Sequence, residues 1–417
     1  MARVTVTVSF DNAAQVLLPP EPGLPYLRTN RAKELTLDPG GITVNNDGVI
    51  AATTPSEDAD LHVDATGCAL LPGLVDCHTH LPFAGWRAHE YEQKVTGVPY
   101  EEIAKAGGGI ASSARALRET PDDAVLLQAR EIAAEMLQNG TTTFECKSGY
   151  GLSREGELRA LKLAAELGRN VAQTTTRTAL LAHAVPDGYT ADTWMDEVEA
   201  MIPEASGYAT ALDIFVESIA FGLEHLDRMG TLAARHNLRL RAHVEQFSTM
   251  RSVPVALRQN ARSLDHLSAI HPDDIGPLGG SNTVAVLLPG AEFMGKEATA
   301  PARDLIDAGA IVVLATDGNP GTSPIFSLPL IIGLGVRRYG LSTKEALLAT
   351  TLNAAYVLDL AETTGSIEPG KRADLILLDS PSEHVAYRLG RDSVAATFVA
   401  GEPVYVRPDA AWRIMKR

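Results

Sequence analysis

From about residue 70 onward, short apolar runs recur along the chain, separated by longer stretches of mixed polarity. The runs span 70–80, 141–147, 174–183, 212–218, 238–245, 263–267, 283–289 and 310–317. Their length and their content of Val, Ile, Leu and Thr predict buried strands. Helix candidates lie between them at 154–167, 192–205, 223–236, 249–259, 272–278 and 301–308. Another opens at Thr120-Pro121-Asp122-Asp123, which offers a capping residue, a proline at the first position and acids in the first turn. Eight strand–helix units in about 250 residues are the pattern of an α/β fold, the (β/α)8 TIM barrel.

The chain ends have a different texture. VTVTVSF (4–10) alternates at period two, Asn45-Asn46-Asp47-Gly48 places a turn between apolar runs, and LHVDATGCALLPG runs up to Pro72-Gly73. Beyond the eighth run come two helical stretches. The second begins at Ser342 with Glu345 three residues on, the spacing of a capping box. A turn at 365–370 leads into the strand ADLILLD, and FVAGEPVYV predicts a hairpin about Gly401-Glu402. Strands at both ends predict a small β-sandwich domain assembled from residues 1–70 and 371–417, flanking a barrel over 71–370.

Composition narrows the class. Of 417 residues, 45% are hydrophobic and 21% charged, an ordinary globular balance. No apolar run approaches the ~18 residues of a membrane span. The alternating N-terminal residues lack the solid apolar core of a signal peptide. With 36 basic and 52 acidic side chains the net charge is −16, and no basic cluster offsets it, so no nucleic-acid partner is expected. Cys68, Cys77 and Cys146 form neither an even framework nor a C-x-x-C, which suits a reducing cytoplasm.

Polar residues collect at the C-terminal ends of the predicted strands, the face on which barrels build sites. The first run ends in His78-Thr79-His80; on a strand, residues two apart point to one side and can share an ion. His183 closes the third run, His243 the fifth and His266 the sixth. Asp317 follows AIVVLA, where an unpaired carboxylate is costly to bury. One such histidine would be unremarkable packing; five with an aspartate are a site. His78, His80, His243 and Asp317 make a ligand set of the catalytic-metal type, leaving His183 and His266 as supporting or substrate-contacting groups. Lys147, at the end of the second run, stays open as a carbamylated bridge between two metals.

The loops after these strands carry Arg87, Tyr100, Gly107-Gly108-Gly109, Tyr150 and Gly318-Asn319-Pro320-Gly321-Thr322. An arginine with tyrosine hydroxyls suits a ligand carboxylate, and glycine-rich turns offer backbone N–H groups to a polar ligand. The triple glycine lacks the Lys-Ser/Thr of a nucleotide loop.

Leu71-Pro72-Gly73-Leu74-Val75-Asp76 leading into His78-Thr79-His80 resembles the first strand of the amidohydrolase superfamily. Thr351-Leu352-Asn353-Ala354-Ala355 and Gly370-Lys371-Arg372-Ala373-Asp374-Leu375 fit its ending. HTHLPFAGWRAHEYEQKVTGVPYEEIAKAGGGI, GTTTFECKSGYGL, HVEQF and LATDGNPGTSP are similar to the imidazolonepropionase family within it, from about Pro72 to Val406. The resemblance implies a hydrolase of C–N bonds in cyclic amides, opening 4-imidazolone-5-propanoate to N-formimino-L-glutamate in the third step of histidine degradation. It implies one zinc or iron ion per chain on His78, His80, His243 and Asp317. Asp317 and His266 would be catalytic, and Arg87, Tyr100, Tyr150, His183, Gln246, Asn319, Gly321 and Thr322 would bind a small-molecule substrate. It also implies a homodimer. Gln246 stands where some members carry glutamate, Gly318 where a bulkier residue is usual, and the first thirty residues match weakly. A heterocycle deaminase of the same superfamily and a barrel that has lost its chemistry are the rival readings. A guanidinium with two tyrosines argues against the first, and the complete ligand set against the second.

Overall fold

The computed structural model describes residues 6–98, 102–103, 106–295 and 298–416. The N-terminal strands are β1 (Val8–Leu18), β2 (Thr36–Val44), β3 (Ile50–Ala52), β4 (Leu61–Asp64) and β5 (Ala69–Pro72). Eight parallel strands follow in barrel order: β6 (Leu74–Asp76), β7 (Thr141–Lys147), β8 (Thr174–Ala182), β9 (Ala211–Val216), β10 (Arg239–Val244), β11 (Ser263–His266), β12 (Val284–Leu287) and β13 (Ile311–Leu314). The last four are β14 (Leu375–Leu378), β15 (Val394–Val399), β16 (Glu402–Val406) and β17 (Ile414–Lys416).

Barrel strands face side chains on the inside and helices on the outside, so every residue of β7 and β9 is buried. The seam closes between β6 and β13. Thr316 donates its N–H (3.2 Å) and Oγ1 (2.7 Å) to Asp76, and the His80 N–H reaches the Gly318 carbonyl at 2.9 Å. Burial pushes the Asp76 carboxyl up to about 6, with the Thr316 bonds opposing.

Both chain ends build one nine-stranded sheet, in the order β16-β15-β14-β5-β1-β2-β3 with β4 and β17 branching from β1. It curls over its own core, so that Phe10 on β1 meets Phe398 on β15 edge to face at 4.8 Å. The predicted β15–β16 hairpin forms, with its turn at Ala400-Gly401, one residue before the expected Gly401-Glu402, since Glu402 already belongs to the strand. The turn before β3 is held by Asn45 Oδ1, which accepts the N–H groups of Asp47 and Val49, each at 3.0 Å.

Three local expectations change. The first apolar run is two strands, not one: β5 pairs with β14 and β1, and β6 with β7. The chain changes sheets at Gly73, where a Cβ would stand 2.2 Å from Thr142 Oγ1. Thr120 does not cap helix Asp122–Gln138, whose N-cap position Pro121 takes; it ends helix Gly109–Glu119 instead, its N–H and hydroxyl both donating to the Ala116 carbonyl. Residues 24–35 leave the terminal sheet and pack Leu27, Ala32 and Leu35 into the barrel's core. There the Leu27 N–H donates to Asn353 Oδ1 at 3.0 Å, and Thr29 Oγ1 accepts the Val312 N–H at 2.8 Å. The Ser342–Glu345 capping box forms as the spacing predicts.

Candidate active site

The barrel gathers the strand-end residues at one mouth. His78 and His80 follow β6, His183 follows β8, His243 lies in β10, His266 ends β11 and Asp317 follows β13. All six are buried. The His78 ring centroid is 4.5 Å from that of His243 and 5.9 Å from that of His266, and His80 lies 5.5 Å from His243. Asp317 Oδ1 is 3.4 Å from His78 Nε2 and 3.2 Å from His80 Nε2. Two groups bring their ligand atoms within 4.8 Å of one another: His78, His80 and His243, and His78, His266 and Asp317. His266 and Asp317 sit at φ +82° and +54°, left-handed conformations that only tight surroundings maintain.

Buried carboxylates orient the imidazoles. Asp265 Oδ2 is 2.6 Å from His78 Nδ1, and Asp213 Oδ1 is 3.1 Å from His243 Nδ1. A carboxylate partner puts the proton on Nδ1 and leaves the Nε2 lone pair free. Nε2 of His78 and of His243 are both buried without a hydrogen-bond partner. Orphaned lone pairs aimed together, beside a buried carboxylate, fit a metal ion and little else.

Beneath the cluster the barrel is ionic. Lys147 Nζ lies 2.7 Å from Asp213 Oδ2 and 3.1 Å from Glu145 Oε2; Arg241 reaches Asp265 at 2.8 Å and also pairs with Glu145. Burial pulls the Lys147 ammonium down, but Asp213, Glu145 and Asp265 outweigh it and raise its pKa above the usual lysine value. That ion pairing uses up Lys147 as a partner of Asp213, and it belongs to neither ligand group. Burial opposes ionisation of Asp317 too, yet His78 and His80 hold it well below the usual carboxylate range. Burial lowers His266 to about 3, so it is neutral.

A pocket opens over the cluster. Arg87, Ile110, Tyr150, His183, Phe215, Gln246, Phe247, Asn319 and Thr322 line it together with His80, His243, His266 and Asp317. Arg87 is buried, and its Nε and Nη1 have no hydrogen-bond partner. His183 Nδ1 donates to the Gly149 carbonyl at 2.9 Å, which leaves Nε2 as an acceptor. Gly321 does not line the cavity but makes room for the arginine: a Cβ there would lie 1.5 Å from Arg87 Nη2. Tyr100 lies outside the described residues.

The amidohydrolase family model matches residues 69–404. An imidazolonepropionase of Rubrobacter xylanophilus is 44% identical over 375 residues, 87% of this chain and 90% of that one. One from Herpetosiphon aurantiacus is 38% identical over 397 residues, covering 91% and 93%. The chain belongs to the imidazolonepropionase family of amidohydrolases. Among solved structures, a triazine hydrolase variant superposes with a TM-score of 0.73 at 16% identity, covering 97% of each chain. A Xanthomonas campestris adenosine deaminase with bound zinc gives 0.68 at 19%, covering 96% of this chain and 93% of that one. These two show the shared fold.

Within the amidohydrolase frame, the two single-residue departures have physical settings. Gly318 has no room for a side chain, since a Cβ would be 2.4 Å from the Phe326 ring. Gln246 rides on a loop braced from both sides. Glu217 accepts the N–H groups of Phe247 (2.9 Å) and Ser248 (3.1 Å), and Glu245 those of Met250 (2.8 Å) and Ser252 (2.6 Å). Asn319 lines the pocket but spends its amide on its own loop: it donates to the Asp317 carbonyl and Thr322 Oγ1, and accepts the N–H groups of Gly321 and Thr322. Glu157 does the same for the Tyr150 loop, accepting the N–H groups of Gly149, Gly151 and Leu152. Sequence reading missed Glu145, Asp213, Asp265, Arg241 and these bracing acids. The signal that existed was a charged residue inside an apolar run, as at Asp213 and Asp265.

Proposed function

We propose that this protein hydrolyses the cyclic amide of 4-imidazolone-5-propanoate to N-formimino-L-glutamate, the third step of histidine degradation. Relatives 38–44% identical over most of the chain carry the name of that activity. The observation that carries the reading is Arg87, a buried guanidinium whose Nε and Nη1 donate no hydrogen bond, Nε only facing Glu90 Oε2 at 3.5 Å, at the wall of a pocket floored by three histidines and an aspartate. A neutral heterocycle would leave those donors unsatisfied; a propionate satisfies them.

His78, His80, His243 and Asp317 would hold one zinc or iron ion per chain, which would supply Lewis acidity toward the ring carbonyl and toward water near neutral pH. Asp317, held ionised, takes the proton of the attacking water. The water oxygen bonds the carbonyl carbon, the ring C–N bond breaks, and Asp317 delivers that proton to the leaving nitrogen. His266, neutral, hydrogen-bonds the oxygen that gains charge. His183 Nε2 accepts from a ring N–H, and the Gln246 amide faces the ring's polar edge. Arg87, Tyr100 and Tyr150 hold the propionate, with Gly321 and Thr322 shaping its approach and Asn319 fixing their loop. Buried free cysteines support a cytoplasmic setting, and the family resemblance supports a homodimer, which light scattering checks.

The test is direct. Imidazolone propanoate made fresh from urocanate should lose its ultraviolet absorbance on addition of the protein, with N-formimino-L-glutamate accumulating. Metal-loaded protein that leaves the absorbance unchanged contradicts the assignment.

A further inference from the structure

The triple glycine and one acid near Arg87 are not used by the reaction, and they meet. Glu90 lies in the first turn of helix Ala88–Thr96 at 4% exposure. Its Oε1 accepts the Gly109 N–H at 3.0 Å, and its Oε2 stands 3.5 Å from Arg87 Nε. Gly109 starts helix Gly109–Glu119, whose next residue, Ile110, is a wall of the pocket.

The glycines are what let the backbone wrap this carboxylate. A Cβ on Gly108 would be 2.7 Å from Ile103 and 3.0 Å from Glu90 Oε1, while Gly107 and Gly109 have φ +84° and +64°. The polar ligand of the glycine-rich turn is therefore the protein's own Glu90. Gly321 leaves the space that the guanidinium fills, since a Cβ there would crowd Nη2, Cζ and Nε. The Arg87 N–H donates to the Pro320 carbonyl at 3.0 Å, so the arginine's main chain is anchored as well.

We propose that Glu90 is a positioning residue for the substrate carboxylate, resting on the function proposed above. It faces the Nε edge of Arg87 and ties that edge to the wall bearing Ile110, leaving the remaining guanidinium donors for the propionate. A long flexible side chain binds an anion better when its rotamer is chosen in advance, because less freedom is lost on binding. Glu90 itself touches no substrate atom. Its effect passes through Arg87 and is confined to ligands that carry the carboxylate.

The experiment compares imidazole-4-propanoate with its neutral propanamide, binding each by calorimetry to the metal-loaded wild type, Glu90→Ala and Glu90→Gln. Glu90→Ala should weaken the acid roughly tenfold or more while the amide stays within about twofold. Glu90→Gln should fall between, because its amide oxygen still accepts the Gly109 N–H at unchanged size. In turnover, KM should rise in the same order with kcat little changed. An acid affinity at the wild-type level in both variants overturns the proposal, and so does an equal loss for acid and amide. If Glu90→Ala does not fold, the isosteric Glu90→Gln decides by the same acid-to-amide ratio. A wild type that prefers acid to amide yet opens no imidazolone ring rejects the functional reading and leaves the role of Glu90 to these ratios.

Discussion

The floor and the rim of the pocket are built in opposite ways. The floor stands on strands: His243 and His266 lie within them, and the carboxylates that orient His78 and His243 come from β11 and β9. Its side chains interlock through Lys147, Glu145 and Arg241, every one buried inside the barrel. The rim stands on loops. Arg87, Tyr150, Gln246 and Asn319 are each fixed by hydrogen bonds local to their own loop or to the next one, with Glu157, Glu217 and Glu245 collecting the backbone donors. The floor can therefore keep its chemistry while the rim changes ligand, which is how one barrel hosts many reactions.

The sharpest break between the two should come from Asp317→Asn. In the proposed mechanism it removes a ligand charge and the base together, and kcat should drop by about 10³-fold or more. Stopped-flow or steady-state turnover with metal content measured in parallel checks it; a loss under tenfold would place the base elsewhere, with His266 next in line. At the rim, Arg87→Ala should cost about 2–4 kcal/mol of transition-state binding, chiefly in KM. Arg87→Lys should recover only part of it, since an ammonium cannot form the planar fork. An alanine variant with unchanged KM would mean that the guanidinium does not meet the substrate.

Asp265→Ala probes whether the floor acts through orientation. His78 would lose the partner on Nδ1, and metal affinity should weaken about 10–100-fold, read by competition with a chelator. Unchanged affinity would mean that the barrel holds His78 by packing alone. The smallest effect is expected for Gln246→Glu. The swap is isosteric on a braced loop, and activity should stay within about tenfold. A loss matching that of Asp317→Asn, with metal still bound, would make Gln246 an indispensable donor to the ring.

The same division explains what was legible in the sequence. Barrel strands and the histidines at their ends are local signals: an apolar run that ends in polar residues carries its meaning within a few positions. The partners of those histidines are not local. Asp265 lies 187 residues from His78, and Lys147 lies 66 from Asp213. Nothing in either segment says which carboxylate the other will meet. The run at 70–80 misled for another reason: its residues 70–75 carry no polar side chain because both short strands are buried, although they belong to different sheets. Residues 24–35 carry too few apolar positions to reveal that they pack into the barrel's core. The rim was legible as a list of loop residues. That Asn319 and the triple glycine serve the protein's own loops, and that Gly321 exists to admit Arg87, needed the backbone path.

The central claim is that one ion on the floor is necessary and sufficient for turnover. Stripping the protein with a chelator and adding back zinc or iron in steps, with imidazolone consumption and bound metal measured on the same samples, tests it most directly. Activity should rise in proportion to bound metal and level off at about one ion per chain. Activity that persists in the stripped protein, or that keeps rising to two ions per chain, would contradict the account.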